Sequence, residues 1–176
     1  MKRKLDWSLR SHGVENLFED DSMIVLNKPA HLLVIPDRYD KRLSSLSEIL
    51  KTDLGNIFVV HRLDKETSGV ILFAKTAEAH AALNRQFEGR ELEKVYHALV
   101  RGNPAEKTGL IELPLLEDSE GVIRVDKKNG KESITEYAVV EELDGYAIVE
   151  VRPRTGRTHQ IRAHLKTIGL PVLAAP

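Results

Sequence analysis

The sequence predicts an α+β fold, with a mixed, mostly antiparallel central sheet and a few flanking helices. Three observations carry the prediction. Roughly eight or nine short apolar or alternating runs are separated by Gly, Pro or charged turns. Only about three segments combine helical periodicity with capping residues. The two kinds of segment do not alternate in the regular βαβ order that builds a parallel sheet. A chain of 176 residues, 41% hydrophobic and 30% charged, is sized for one domain with its own core.

In chain order, residues 1–21 are polar and mixed in charge and are expected as an N-terminal tail that packs Trp7 or Phe18 on a domain spanning 22–176. Ser22 to Asn27 reads as a strand, stopped where Lys28-Pro29 brings in a residue without an N–H. The apolar run Leu32 to Ile35 is closed by Pro36. Ser45-Leu46-Ser47-Glu48 forms a capping box ahead of a short helix with Leu46, Ile49 and Leu50 on one face and Gly55 as its stop. Ile57 to Val60 and Val70 to Ala74 are buried-strand candidates, and Thr76 caps a helix with the stripe Ala79, Ala82, Leu83 and Phe87. Lys94 to Val100 alternates, with Tyr96, Ala98 and Val100 on one face. Further strands are expected at Leu110 to Leu113, Val122 to Val125, Ile134 to Glu141 and Tyr146 to Val151. Thr158 is expected to cap a last helix with Ile161, Leu165 and Ile168 on its apolar side, ended by Gly169 and Pro171.

Composition excludes several classes of function. The absence of Cys removes disulfides, thiolate metal sites and a Cys nucleophile together. No run approaches the roughly 18 apolar residues of a membrane span, and the basic start leads into Leu5-Asp6-Trp7 rather than a signal core. A cytoplasmic monomer with no membrane partner is expected. The formal net charge of -1 does not point to nucleic acid, but its distribution does. Arg152, Arg154, Arg157, Arg162 and Lys166 occur without an intervening acid, whereas Glu112, Glu117, Asp118 and Glu120 gather elsewhere. Local charge makes a phosphate-binding face, although the same run also fits a solvated helix face.

Two stretches carry the candidate chemistry. His61 to Gly69 joins two strands with far more charged and hydroxyl residues than a hairpin needs. Within it Asp64 lies between Arg62 and Lys65, cations that favour the ionised carboxylate. That setting suits a nucleophile or general base, and equally a turn-forming Asp. In the second stretch, Arg154 to Leu165, a glycine loop and flanking arginines precede a helix, a natural place for an anion.

The string HRLDKETSGVILFAKT over residues 61–76 resembles the central signature of the RluA-type pseudouridine synthases. Asn27-Lys28-Pro29, Lys94-Val95-Tyr96 and Gly156-Arg157-Thr158-His159-Gln160-Ile161-Arg162-Ala163-His164-Leu165 resemble other blocks of that family, in the family's order. Gly130-Lys131 resembles its lead into the strand at Ile134. The resemblance implies the synthase catalytic fold and isomerisation of specific uridines in structured RNA, rRNA or tRNA, to pseudouridine. It implies no metal and no other cofactor. It further implies Asp64 as nucleophile, Arg162 as the cation that orients and charge-balances it, and Tyr96 as the aromatic that stacks on a flipped-out base. Arg62, Arg154, Arg157, His159 and Gln160 are the expected RNA-binding residues.

The chain departs from the family pattern in places. His31 stands where a glycine is common, so its loop must turn without one. Residues 1–21 are too short for the extra RNA-binding domain of many relatives, and residues 22–176 are expected to lack the C-terminal part of the family fold. A catalytically inactive RNA-binding protein or fragment with the synthase fold is therefore the alternative. A metal-dependent hydrolase using His61, His159 or His164 would need an acid-rich ligand cluster that the sequence does not show. Gln160 and His164 share a helical face with His159 nearby, but catalytic zinc normally takes three protein ligands, and Ile161, Arg157 and Arg162 crowd that turn.

Overall fold

The structure, a computed structural model, describes residues 2–38 and 40–173, so Ala174-Ala175-Pro176 of the expected domain lie outside the described residues. The chain divides into two compact units, Met1–Gly89 and Arg90–Pro176. The α+β class holds, with one difference from the expected central sheet. Hydrogen bonding joins the described strands into two four-stranded sheets, one in each unit, and a two-stranded ribbon. Every pairing between named strands is antiparallel.

The first unit contains α1 (Lys2–Ser11), β1 (Glu15–Glu19), β2 (Met23–Lys28), α2 (Leu46–Leu54), β3 (Phe58–Val59), β4 (Gly69–Ala74) and α3 (Ala77–Glu88), with sheet order β1-β2-β4-β3. The expected tail is therefore corrected. Residues 2–19 hold a helix and the edge strand β1, which pairs with β2. They are anchored by buried Leu5, Leu9 and Val14, while Trp7 and Phe18, the expected anchors, are exposed. A helix whose apolar residues fall four apart buries that face and leaves Trp7 outside. The capping box forms as expected: Ser45 Oγ accepts from Glu48 N and donates to Glu48 Oε2, and Gly55 N closes the helix on Lys51 O. Thr76 likewise caps α3 by accepting from Ala79 N.

The second unit contains β5 (Tyr96–Arg101), β6 (Thr108–Glu112), β7 (Leu115–Glu117), β8 (Ile123–Val125), β9 (Ile134–Leu143), β10 (Tyr146–Pro153) and α4 (Gln160–Thr167). Its sheet order is β5-β10-β9-β6, with β7 and β8 as the ribbon. Asp144-Gly145 makes the tight connection between β9 and β10, with Gly145 at φ 71° as a two-residue hairpin requires. The alternation expected of β5 is realised. Ala98 and Val100 join Ile111, Ala147, Val149, Val151, Leu165 and Leu170 in one buried cluster, against which Tyr96 packs.

Candidate active site

Asp64 lies in the loop between β3 and β4, partly buried, at the start of a turn in which Thr67 N donates to its carbonyl at 3.1 Å. Leu63 is buried and anchors the loop from below. The main-chain anchor is the carbonyl of Lys65, which accepts from His31 N at 2.7 Å and from the Lys28 ammonium at 3.2 Å. Lys28 also donates to Pro29 O at 2.9 Å and Leu32 O at 2.8 Å. Its side chain is fully buried, which follows from the strand. Ile24, Leu26 and Lys28 occupy alternate positions on the inward face of β2. Burial lowers the Lys28 pKa to about 8, with the Glu66 and Asp64 carboxylates acting in the opposite direction. One ammonium thus ties the end of β2, the following loop and the Asp64 loop together.

Two further residues shape this loop. His31 takes the left-handed conformation, φ 67°, so the chain keeps a geometry suited to glycine without having one. His31→Gly should therefore raise stability by about 0.5–1 kcal/mol, left-handed strain relieved less the entropy that glycine adds to the unfolded chain. Denaturant unfolding checks this, and a loss of stability would show that the exposed imidazole contributes. His61 Nε2 accepts from Leu72 N at 3.2 Å, and its ring stacks on Phe87 of α3 at 4.8 Å between centroids. The ring thereby satisfies an amide of β4 beyond the reach of the short strand β3, which the sequence predicted as longer. Arg62 is exposed on the same loop.

In the second unit, Tyr96 opens β5 opposite Val151, and Arg162 lies partly buried on α4. The helix begins differently from expectation. His159, at φ 49°, is its N-cap residue and makes no side-chain cap; Thr158 does not cap it. Gln160 fixes the approach to the helix from inside. Its Oε1 accepts from Thr155 Oγ1 at 2.8 Å and Arg157 N at 3.0 Å, and its Nε2 donates to Ile134 O and Thr135 Oγ1, each at 2.9 Å. Gln160 is buried with both amide donors and both acceptor positions used, which corrects its expected role in binding RNA.

The network continues through His164. Its Nε2 lies 2.8 Å from Leu113 O and therefore donates, so Nδ1, 2.8 Å from Thr135 Oγ1, accepts. Burial lowers the His164 pKa, favouring the neutral ring that this pattern needs. A buried imidazole with both nitrogens engaged offers nothing to a metal, and no group of three potential His, Asp or Glu ligands occurs among the described residues. Instead, Thr135, Thr155, Gln160 and His164 lock α4, which carries Arg162, to β9.

The arginines ahead of α4 meet carboxylates, two of them, Glu93 and Glu136, distant in the sequence. Arg154 pairs with Glu136 of β9, and Arg152 pairs with Glu93 and Glu150. Arg157 is exposed, and its Nε donates to the Glu132 carbonyl at 3.1 Å. The run that looked uniformly basic is partly neutralised across strands. Lys28 is the supporting residue that sequence reasoning did not single out. The position of Lys28, two residues beyond Leu26 in an alternating strand, was the available signal.

A family model described as RNA pseudouridylate synthase matches residues 22–167. The chain belongs to this family. Among its relatives, the dual-specificity RNA pseudouridine synthase RluA of Escherichia coli K12 is 42% identical over 160 residues, covering 89% of this chain and 73% of that one. The protein of the same name from Yersinia pestis is 41% identical over 160 residues, covering 89% of this chain and 78% of that one. Human RNA Pseudouridylate Synthase Domain Containing 4 superimposes with a TM-score of 0.78 at 26% identity, covering 98% of this chain and 71% of that structure. The protein is an RNA pseudouridine synthase of the RluA type, an isomerase of uridine in RNA. Among the described residues, no helix of this synthase is long and apolar enough to cross a membrane.

Proposed function

We propose that this synthase converts specific uridines of structured rRNA or tRNA to pseudouridine, acting in the cytoplasm as a monomer, with residues 22–176 as its catalytic domain and α1 and β1 added to the first unit of that domain. The observation that carries the reading is the anchoring of the Asp64 loop. A carboxylate whose neighbouring carbonyl is held by a buried ammonium and a main-chain amide is fixed as a nucleophile must be. Asp64 is the nucleophile, Tyr96 the aromatic on which the extruded uracil stacks, and Arg162 the cation that balances the developing charge. The bond between ribose C1′ and uracil N1 breaks, the ring turns, and C5 bonds to C1′. The C5 proton is lost and N1 gains one, so the reaction is redox-neutral. A uracil inside a stem cannot be reached, so the base must leave the stack.

Arg62, Arg157, Arg154 and His159 are the proposed contacts to the surrounding RNA. Arg157→Ala should weaken binding of all RNA sequences alike and lower the logarithmic salt slope by about 0.7–0.9. Arg154→Ala should do so less, because Glu136 already engages its guanidinium. Filter binding across a salt series checks both, and equal losses would remove the influence of Glu136.

The function itself is tested on unmodified rRNA and tRNA transcripts incubated with the protein and sequenced for pseudouridine. Modification at one or a few positions is expected. Binding without modification would favour the catalytically inactive RNA-binding alternative.

A further inference from the structure

The second unit gathers three cations from two segments that lie far apart in the sequence, Arg90 and Lys94 from one and Arg157 from the other. Arg90 pairs with the Glu132 carboxylate at 2.9 Å, and Arg157 Nε donates to the carbonyl of that same Glu132. Lys94 reaches across to donate to Thr155 O at 3.1 Å, next to Gly156. A Cβ added at Gly156 would lie 3.7 Å from Lys94 Nζ, so the missing side chain leaves the ammonium accessible from the glycine's open side. Lys94 is partly buried, while Arg90 and Arg157 are exposed around it. Of the contacts formed by these three side chains among the described residues, one alone is to a carboxylate, that of Glu132. The group therefore carries excess positive charge.

We infer that Arg90, Lys94 and Arg157 form a phosphate subsite over Gly156 that holds one RNA phosphate beside the target nucleotide. The inference rests on the proposed RNA substrate and adds Arg90 and Lys94 to its binding residues. Three features support it. The cations come from two chain segments, with Arg90 and Arg157 both held by Glu132 and Lys94 by Thr155, so their approach is imposed by the fold. Glycine at the centre admits an oxyanion close to the main chain. Lys94 lies two residues before Tyr96, which puts the phosphate contact next to the proposed base-stacking residue. Burial first, and then the nearby Arg90 guanidinium, hold the Lys94 pKa below the ordinary lysine value. An anion placed among these groups relieves that repulsion.

The test uses the full chain, a uridine-containing RNA hairpin and a salt series, with Lys94→Met, Arg90→Gln, their double variant, Lys94→Arg and the control Lys51→Met. Each single loss should weaken binding about three- to tenfold and lower the logarithmic salt slope, with Lys94→Arg restoring most of the affinity and Lys51→Met leaving the slope unchanged. The double variant should lose less than the product of the two single effects, because both cations hold one phosphate. Lys94→Met could also misplace the loop through Thr155, but Arg90 bonds only a side chain, so Arg90→Gln tests the charge itself. Wild-type slope in both single variants, or fully multiplicative losses, overturns the shared subsite. A wild-type protein that binds no RNA overturns the proposed substrate as well.

Discussion

Asp64→Asn should abolish pseudouridine formation, lowering the single-turnover rate at saturating RNA by about a thousandfold or more, while RNA affinity changes by less than about threefold. The asymmetry follows from what the substitution removes. Asn keeps the size and much of the hydrogen bonding of the side chain but cannot act as a carboxylate nucleophile, and a thousandfold loss corresponds to about 4 kcal/mol of transition-state stabilisation. The turn at Asp64 is closed through its main-chain carbonyl, which Asn supplies equally. Retention of more than a few per cent of the rate would remove Asp64 from the chemistry.

Lys28→Met should cost about 2–4 kcal/mol of folding stability and most of the activity. Methionine approximates the shape but leaves the carbonyls of Pro29, Leu32 and Lys65 without this donor. Each buried group left unmade costs about 1–3 kcal/mol, offset by about 3 kcal/mol no longer lost to desolvating an ammonium whose pKa has fallen from 10.5 to about 8. The same shift sets a pH dependence of definite sign. Between about pH 8 and pH 10.5 the unfolded chain holds the Lys28 proton that the folded chain has released. The contribution of this group to stability must therefore rise with pH across that window. Urea unfolding at pH 7 and pH 10 should show this increment in the wild type and not in Lys28→Met. An equal change in both proteins would place the titration elsewhere.

Much of this architecture is legible in the sequence because it is local. The Ser45–Glu48 box, the Thr76 cap and the alternation of Tyr96, Ala98 and Val100 each depend on residues a few positions apart, and each forms as expected. What escaped depends on partners distant in the chain. β1 carries little inward-facing apolar character and is a strand because β2 offers it an edge. Gln160 and His159 are neighbours of similar polarity, yet one is drawn inside by Thr135 and Thr155 and the other is not. Arg154 reads as a free cation until β9 brings Glu136 to it. The candidate catalytic residues were found by the resemblance of their blocks; the buried supports of those blocks became visible only with the fold.

The anchoring of the Asp64 loop through the carbonyl of Lys65 separates two duties that a single residue often combines. The peptide group of residue 65 holds position, whereas its side chain takes no part in that bond. Position 65 can consequently vary in charge while the adjacent carboxylate stays where it is. Evolution, or an engineer, can adjust the electric field at Asp64 there without disturbing the geometry on which its reactivity depends.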